Sequence, residues 1–293
     1  MNVEHRALPV PSASPHSLER AYQAAVALGR REIVRFFRQR NRVVGALGQP
    51  ILFWLLFGAG LSQWFKAGDQ SFQDYFFPGT LVLIVLFTAI FSTISIIEDR
   101  REGFLQSVLV APIPRVAMVA GKIGGGALIA VSQGVVFLVL GRLSGVTLDV
   151  GAMFLAVAWL LVGAVALTGL GFVIAWRLDS TQGFHAIMNL LLMPLWLLSG
   201  AFFPVPTVAA DAAWGTQILH WVMRVNPVTY LVAGLRQVLQ PDIAAIVSHD
   251  AAEIGRLWMP TMSTCWLVSL LATAVALWGA WRIAEGRSTG DLL

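Results

Sequence analysis

Charged side chains are concentrated at one point of this 293-residue chain, the run Glu98-Asp99-Arg100-Arg101-Glu102-Gly103. The run separates two long apolar stretches, residues 78–97 and 116–140. Charge of this density is not stable in hydrocarbon, so it predicts a polar hairpin between two membrane spans, and its arginines favour the cytoplasmic side. A membrane protein that carries such a cluster is expected to dock a partner there.

The sequence contains no recognisable catalytic arrangement. Its five histidines are scattered without HExxH spacing, and neither Lys66 nor Lys122 follows a glycine-rich phosphate loop. The single cysteine, Cys265, lies in an apolar run and excludes an internal disulfide or a thiolate metal cluster. We therefore predict no catalytic, cofactor-binding or metal-binding residue, and no hydrolysis of ATP by this chain.

Composition indicates an all-α polytopic membrane protein. The chain is 57% hydrophobic and 12% charged, with a mean hydropathy of +0.73, whereas soluble domains are about 25% charged. Six apolar stretches have approximately the length that crosses a bilayer, about 20 residues. They are residues 44–64, 78–97, 116–140, 152–176, 184–204 and 257–281.

The distribution of Lys and Arg predicts the orientation of these six spans. Fifteen of the 20 basic residues lie on the side that carries the N-terminus and the 98–103 run. By the positive-inside rule this side is cytoplasmic, and an even number of crossings places both termini there.

The N-terminal region divides into a tail and a helix. Residues 1–17 are rich in proline and serine and are predicted to be disordered. Residues 18–43 are predicted to form an amphipathic interface helix, on which Arg31, Arg35, Arg38 and Arg42 share one narrow stripe. We expect these arginines to face lipid headgroups or a cytosolic partner, with the apolar side in the acyl boundary. The alternative is a positive-inside anchor without a binding role.

The six-span domain is predicted to cover residues 44–282, followed by a cytoplasmic tail at 283–293. Its external segment, about 205–256, contains two apolar pieces, 214–225 and 228–239, which are too short to cross. Asn226-Pro227 separates them, because proline cannot donate a helical hydrogen bond. This pattern fits a re-entrant helical hairpin or, equally, an external loop with two amphipathic helices.

The predicted spans have no ionisable residue near their middle. Ion-coupled carriers usually need such a group, so the sequence disfavours a secondary carrier. Embedded polar residues, including Gln133 and Asn189, are assigned by default to helix packing, with ligand binding as the alternative. Gly121 and Gly125, four residues apart, predict a close helix contact at the start of the third span.

Two blocks of the sequence resemble a known family. Residues 99–115, followed by Gly121-Lys122, are similar to the loop after the second span of type-2 ABC exporter permeases, which include drug-resistance, nodulation and polysaccharide export permeases. Residues 198–204, Asn226-Pro-Val-Thr-Tyr230 and Gly234-Leu-Arg236 resemble the stretch after the fifth span in the same family.

The resemblance implies an architecture and a set of partners. Permeases of this family have an interface helix, six spans and a re-entrant helix pair before the sixth, and two copies assemble with two cytosolic ABC ATPase subunits that bind ATP and Mg. The chain would then form a homodimer in a bacterial inner membrane, contacting lipid and no nucleic acid. Its coupling helix would fall at about 98–115. The residues that match the family's docking motif are Glu98, Asp99, Arg100, Arg101, Glu102 and Gly103. Those that match its external helix break are Asn226, Pro227 and Tyr230.

The coupling segment departs from the family pattern at two positions. Phe104 stands where threonine is common and Gln106 where glutamate is common. We therefore expect a more apolar cleft on the ATPase, with Leu105, Val108 and Leu109 as the apolar anchor of the docking helix.

The hypothesis for function is the membrane subunit of an ATP-driven exporter that moves an amphipathic, lipid-linked or drug-like molecule outward. The alternatives are a non-transporting membrane anchor for an ATPase and an ion-coupled secondary carrier.

Overall fold

The computed structural model describes residues 15–61, 71–206, 213–241 and 258–286. The predicted tail at 1–17 falls almost wholly outside these ranges, as do the last seven residues of the tail at 283–293. The regular structure of the described ranges is helical. Its helices are α1 (Pro15–Arg38), α2 (Arg40–Leu61), α3 (Phe72–Ser92), α4 (Ile94–Arg101), α5 (Phe104–Val110), α6 (Arg115–Leu143), α7 (Val150–Arg177), α8 (Thr181–Leu197), α9 (Trp214–Val225), α10 (Pro227–Leu239) and α11 (Met262–Glu285).

Helix α3 is the centre of the bundle. It is apolar on all sides, as expected of a helix that is buried all round, and Phe76, Ile84 and Leu86 have no exposed surface. Helices α2, α6, α7, α8 and α10 all pack against it. The remaining helices are therefore positioned by their contacts with α3 or with its immediate neighbours.

Five helical segments are long and apolar enough to cross a membrane, namely α2, α3 continued by α4, α6, α7 and α11. They correspond to five of the six predicted spans. Helix α3 begins at Phe72, earlier than the predicted residue 78, because Ser71 caps it. The Ser71 hydroxyl accepts a hydrogen bond from the Asp74 backbone amide at 3.2 Å and donates one to the Asp74 carboxylate at 2.6 Å.

The predicted span at 184–204 is shorter in the structure. Helix α8 has 17 residues and ends at Leu197, below the length of about 20 that a straight crossing requires. The chain then turns at Gly200, whose φ of 78° favours glycine. The count of six spans therefore remains a prediction.

The predicted break at Asn226-Pro227 separates two helices with different surroundings. Helix α10 packs against α3, α7 and α11, and most of its side chains are buried. Helix α9 instead exposes apolar side chains, among them Trp214, Trp221 and Val225. Helix α10 is thus part of the bundle, and insertion of the pair into a leaflet remains a prediction.

The glycine pair predicted to allow a close helix contact does so, and the partner is α1. A Cβ atom on Gly121 would lie 2.6 Å from the carbonyl oxygen of Ala25, and one on Gly125 would lie 2.9 Å from that of Gly29. The backbones of α1 and α6 are therefore in direct contact at this crossing.

Substituting glycines of α6 by alanine is expected to have opposite effects at neighbouring positions. Gly121→Ala introduces a clash with the α1 backbone and is expected to lower stability by about 1–3 kcal/mol. The control Gly124→Ala, where nothing lies within 4 Å of the new Cβ, is expected to raise stability by about 0.5–1 kcal/mol through helix propensity. Thermal unfolding of the two purified variants measures this, and equal shifts would contradict the contact.

Candidate functional site

The structure brings the predicted charged run and the predicted arginine stripe together at one end of the bundle. We call this cluster the charged junction. It contains four basic and four acidic side chains from α1, the first turn of α2, α4 with its C-terminal turn, and α6. Its members are Arg31, Glu32, Arg35, Arg42, Glu98, Asp99, Glu102 and Lys122.

Asp99 is the centre of the charged junction. Its side chain has no exposed surface and faces three cations. Arg31 donates to both carboxylate oxygens, at 2.7 and 3.0 Å, and Arg35 donates at 2.8 Å. The ammonium of Lys122 contacts the second oxygen. A buried carboxylate is stable only with such partners, so this residue fixes α4 against α1 and α6.

Glu32 is a member that the sequence analysis missed. It accepts a hydrogen bond from Lys122 Nζ at 2.6 Å, and both side chains are buried. The close crossing at Gly121 and Gly125 places them within reach, because it removes the side chains that would hold α1 away from α6. The sequence feature that could have indicated this buried pair is Lys122, which lies between glycines inside an apolar run.

The outer part of the charged junction is more open to solvent. Arg35 lies 2.9 Å from a Glu98 oxygen and 3.2 Å from a Glu102 oxygen, and Arg42 lies 3.3 Å from Glu98. Three of the four predicted stripe arginines thus pair with this chain's own acidic residues, whereas they were expected to face headgroups or a partner. Arg38 is exposed and lies outside the cluster. The difference arises because α1 packs against α6 beside the end of α4.

Phe104 takes part in the same assembly. Its ring lies 3.7 Å from the guanidinium carbon of Arg31, a cation–π contact. Burial lowers the pKa of Arg31, but the hydrogen bond and charge of Asp99 outweigh burial, so the net pKa of Arg31 is raised. Phe104 therefore has a role inside the subunit, and the apolar cleft expected on a partner remains a prediction.

Other arginines of the segment cap neighbouring helices. Arg100 donates to the Trp176 carbonyl at 2.6 Å and pairs with Asp179 at 3.0 Å, and Arg101 donates to the Asp179 carbonyl at 3.0 Å. Arg115 donates to the Ala284 carbonyl at 2.6 Å. These bonds satisfy carbonyls at or just beyond the C-terminal ends of α7 and α11. The segment is thereby attached to both helices.

Helix α5 presents a different surface from the one expected. It starts after Gly103, whose backbone φ of 74° lies in the left-handed region that favours glycine. Of the predicted anchor, Leu105 is buried in the core, and Val108 and Leu109 pack against the core. The exposed residues of α5 are Gln106, Ser107 and Val110, the last with 79% of its surface exposed. The accessible face is therefore uncharged.

The predicted external break is held by side-chain hydrogen bonds. Asn226 caps α10 by accepting from the Val228 amide at 3.0 Å, and its amide group donates to the carbonyls of Leu195 and Leu198 at 2.6 and 3.2 Å. The Tyr230 hydroxyl donates to the Arg224 carbonyl at 2.8 Å. Asn226 thus joins the end of α8 to the α9–α10 break.

Removing the charge of Asp99 is expected to be far more damaging than removing that of an exposed aspartate. Asp99→Asn leaves buried cations without a counter-charge and is expected to lower stability by about 3–5 kcal/mol. The control Asp179→Asn breaks a pair whose acidic partner is 90% exposed and is expected to cost less than about 1 kcal/mol. Thermal unfolding in the same detergent measures both, and similar losses would show that Asp99 is not the centre of the cluster.

Comparison with known proteins agrees with this architecture. Residues 23–239 match the family model for the ABC-2 type transporter. The transport permease ycf38 of Cyanophora paradoxa is 23% identical over 219 residues, which cover 73% of each chain. The inner membrane transport permease YadH of Escherichia coli K12 is 23% identical over 211 residues, which cover 70% of this chain and 78% of YadH. The match spans α2–α10 and most of α1, and the chain belongs to the ABC-2 type transporter family.

Proposed function

We propose that this protein is the membrane-embedded permease subunit of an ATP-driven exporter in a bacterial inner membrane. Two copies would assemble with two cytosolic ABC ATPase subunits, which would bind ATP and Mg. The names of both relatives support a transport permease, and the name of YadH supports an inner membrane. The observation that carries the proposal is the attachment of the α4–α5 segment to α1, α6 and α7, together with the bond from Arg115 of α6 to the end of α11.

A docking element must transmit force, and the attachments described above suit that task. A displacement of α5 by a partner would be passed through Asp99 to α1 and α6. The same displacement would reach α7 through Arg100, and it would reach α11 through α6 and its first residue, Arg115. Closure of an ATPase pair would thereby shift several spans together between two packings.

The surface proposed to enter the ATPase is the exposed part of α5, namely Gln106, Ser107 and Val110. The charged run was expected to dock, but its carboxylates are engaged with α1 and α6. An apolar side chain surrounded by uncharged polar groups fits the centre of an interface, where charged residues are depleted. Glu102, which is 57% exposed, and Arg101 remain available as rim contacts that set partner choice.

Placing a charge on the tip of α5 is expected to prevent assembly. Val110→Glu would desolvate a carboxylate in the interface and reduce copurification of the partner ABC ATPase by at least tenfold, a change of about 1.4 kcal/mol. The control Val150→Glu makes the same exchange at an exposed site at the start of α7, on the opposite end of the bundle. Unchanged copurification with Val110→Glu would overturn this docking surface.

The proposed orientation has a separate test by cysteine labelling. The only cysteine, Cys265, is buried, so an introduced thiol gives the main signal. Gln106→Cys is expected to react with a membrane-impermeant maleimide only after the cells are opened. Leu143→Cys, at a site that is 79% exposed, is expected to react in intact spheroplasts. The reverse pattern would place the charged junction outside the cell and reject ATPase coupling.

A further inference from the structure

Arg236 is a buried cation at the end of the bundle opposite the charged junction. It lies on α10, contacts the start of α3 and is 3% exposed. It takes part in no ion pair within the described part of the chain. Buried charges are seldom kept without a partner, and ionisable groups within membrane-embedded helices usually have a function. Neither the charged junction nor the docking surface on α5 uses this residue.

The guanidinium of Arg236 faces two backbone carbonyls and one aromatic ring. It donates to the Gly200 carbonyl at 3.1 Å and to the Tyr75 carbonyl at 3.4 Å, and its carbon lies 4.1 Å from the centre of the Tyr75 ring. Its Nε–H is buried and has no hydrogen-bond partner among the described residues. Uncharged partners of this kind compensate only part of the free energy that a cation loses when it leaves water.

Neither carbonyl depends on this guanidinium for a hydrogen bond. The Tyr75 hydroxyl also donates to the Gly200 carbonyl, at 3.3 Å. Tyr75 lies inside α3, where the regular donor to its carbonyl is the amide four positions later, that of Gly79. Removing the guanidinium would therefore leave no acceptor without a donor, and the backbone at this end of the bundle does not require the charge of Arg236.

Gln240, four residues after Arg236, is a contrasting case. It is buried at the C-terminal cap of α10 and donates to the Asp74 carbonyl at 2.7 Å. This carbonyl has lost its regular helical donor, because the residue four positions later is Pro78, which has no N–H. Gln240 thus supplies a bond that the α3 backbone needs, whereas Arg236 adds a buried charge that the backbone does not need.

We propose that Arg236 biases the outer end of the bundle towards opening. In the closed arrangement the turn after α8 lies tightly on α3, since a Cβ atom on Gly79 would lie 2.8 Å from that of Ala201, and this turn keeps water from the guanidinium. When the turn moves away, water hydrates the cation and the free energy lost on its burial is recovered. The charged junction has paired buried charges and stays closed. Only the word outer rests on the proposed function; the role of Arg236 does not require the ATPase.

The test measures the rate of opening with a thiol placed in the same turn. Ser199 is 1% exposed, so Ser199→Cys is expected to react with a membrane-impermeant maleimide on intact spheroplasts only when the turn leaves α3. Adding Arg236→Met removes the charge and is expected to slow this labelling about tenfold. The matched control Gln240→Met is expected to speed it about fivefold, because the Asp74 carbonyl loses its donor. The same variants without Ser199→Cys give the background from the buried Cys265.

Labelling of Arg236→Met at or above the rate of the Arg236 protein would overturn the proposal, because the guanidinium would then hold this end closed. Arg236→Leu repeats the measurement with a second apolar side chain. If neither variant gave a cooperative thermal unfolding transition, Arg236 would be a structural anchor and the proposal would also be overturned. Labelling of Ser199→Cys only after the cells are opened would instead reject the orientation and the proposed function, while the order of rates among the variants, measured on opened cells, would still test the role of Arg236.

Discussion

The structure depends on one buried carboxylate. Asp99 has no exposed surface and neutralises cations from α1 and α6. Such a group is tolerated away from water only while every partner stays in place. The crossing of α1 over α6, the end of α4 and the start of α5 must therefore keep one mutual arrangement. The glycines of α6 make that arrangement possible, because any side chain there would separate Glu32 from Lys122.

This constraint explains why the segment between α3 and α6 behaves as a structural unit rather than a loop. Asp99 ties it to α1 and α6, Arg100 ties it to the end of α7, and Arg115, the first residue of α6, bonds to the end of α11. The two arginine caps use helix-terminal carbonyls that would otherwise lack partners. A span that moved independently would break a buried ion pair or expose such carbonyls. Concerted movement is the less costly response to a force on α5.

Much of the fold was predictable because the length of an apolar stretch and the residues that begin or end a helix are local features of the sequence. The existence of five spans, the break at Asn226-Pro227 and the close contact at Gly121 follow from residues near one another in sequence, although the predicted bounds of the spans differ by several residues. Pairing of charges is not local. Arg31 and Asp99 are 68 positions apart, and Lys122 and Glu32 are 90 apart, so no periodicity connects them. The length of α8 was missed for another reason: Gly200 turns the chain while the sequence remains apolar.

The charged run illustrates how charge is used at the boundary of a bilayer. In a soluble protein a run of acidic and basic residues is usually a solvated face, and its exposure makes it a natural docking surface. Here α1 covers the acidic residues, so their charges hold helices together and are largely unavailable to a partner. The residues left accessible on α5 are uncharged. In the proposed complex, attachment and recognition would fall on opposite sides of one short segment, so the docking face could vary without disturbing the buried ion pairs.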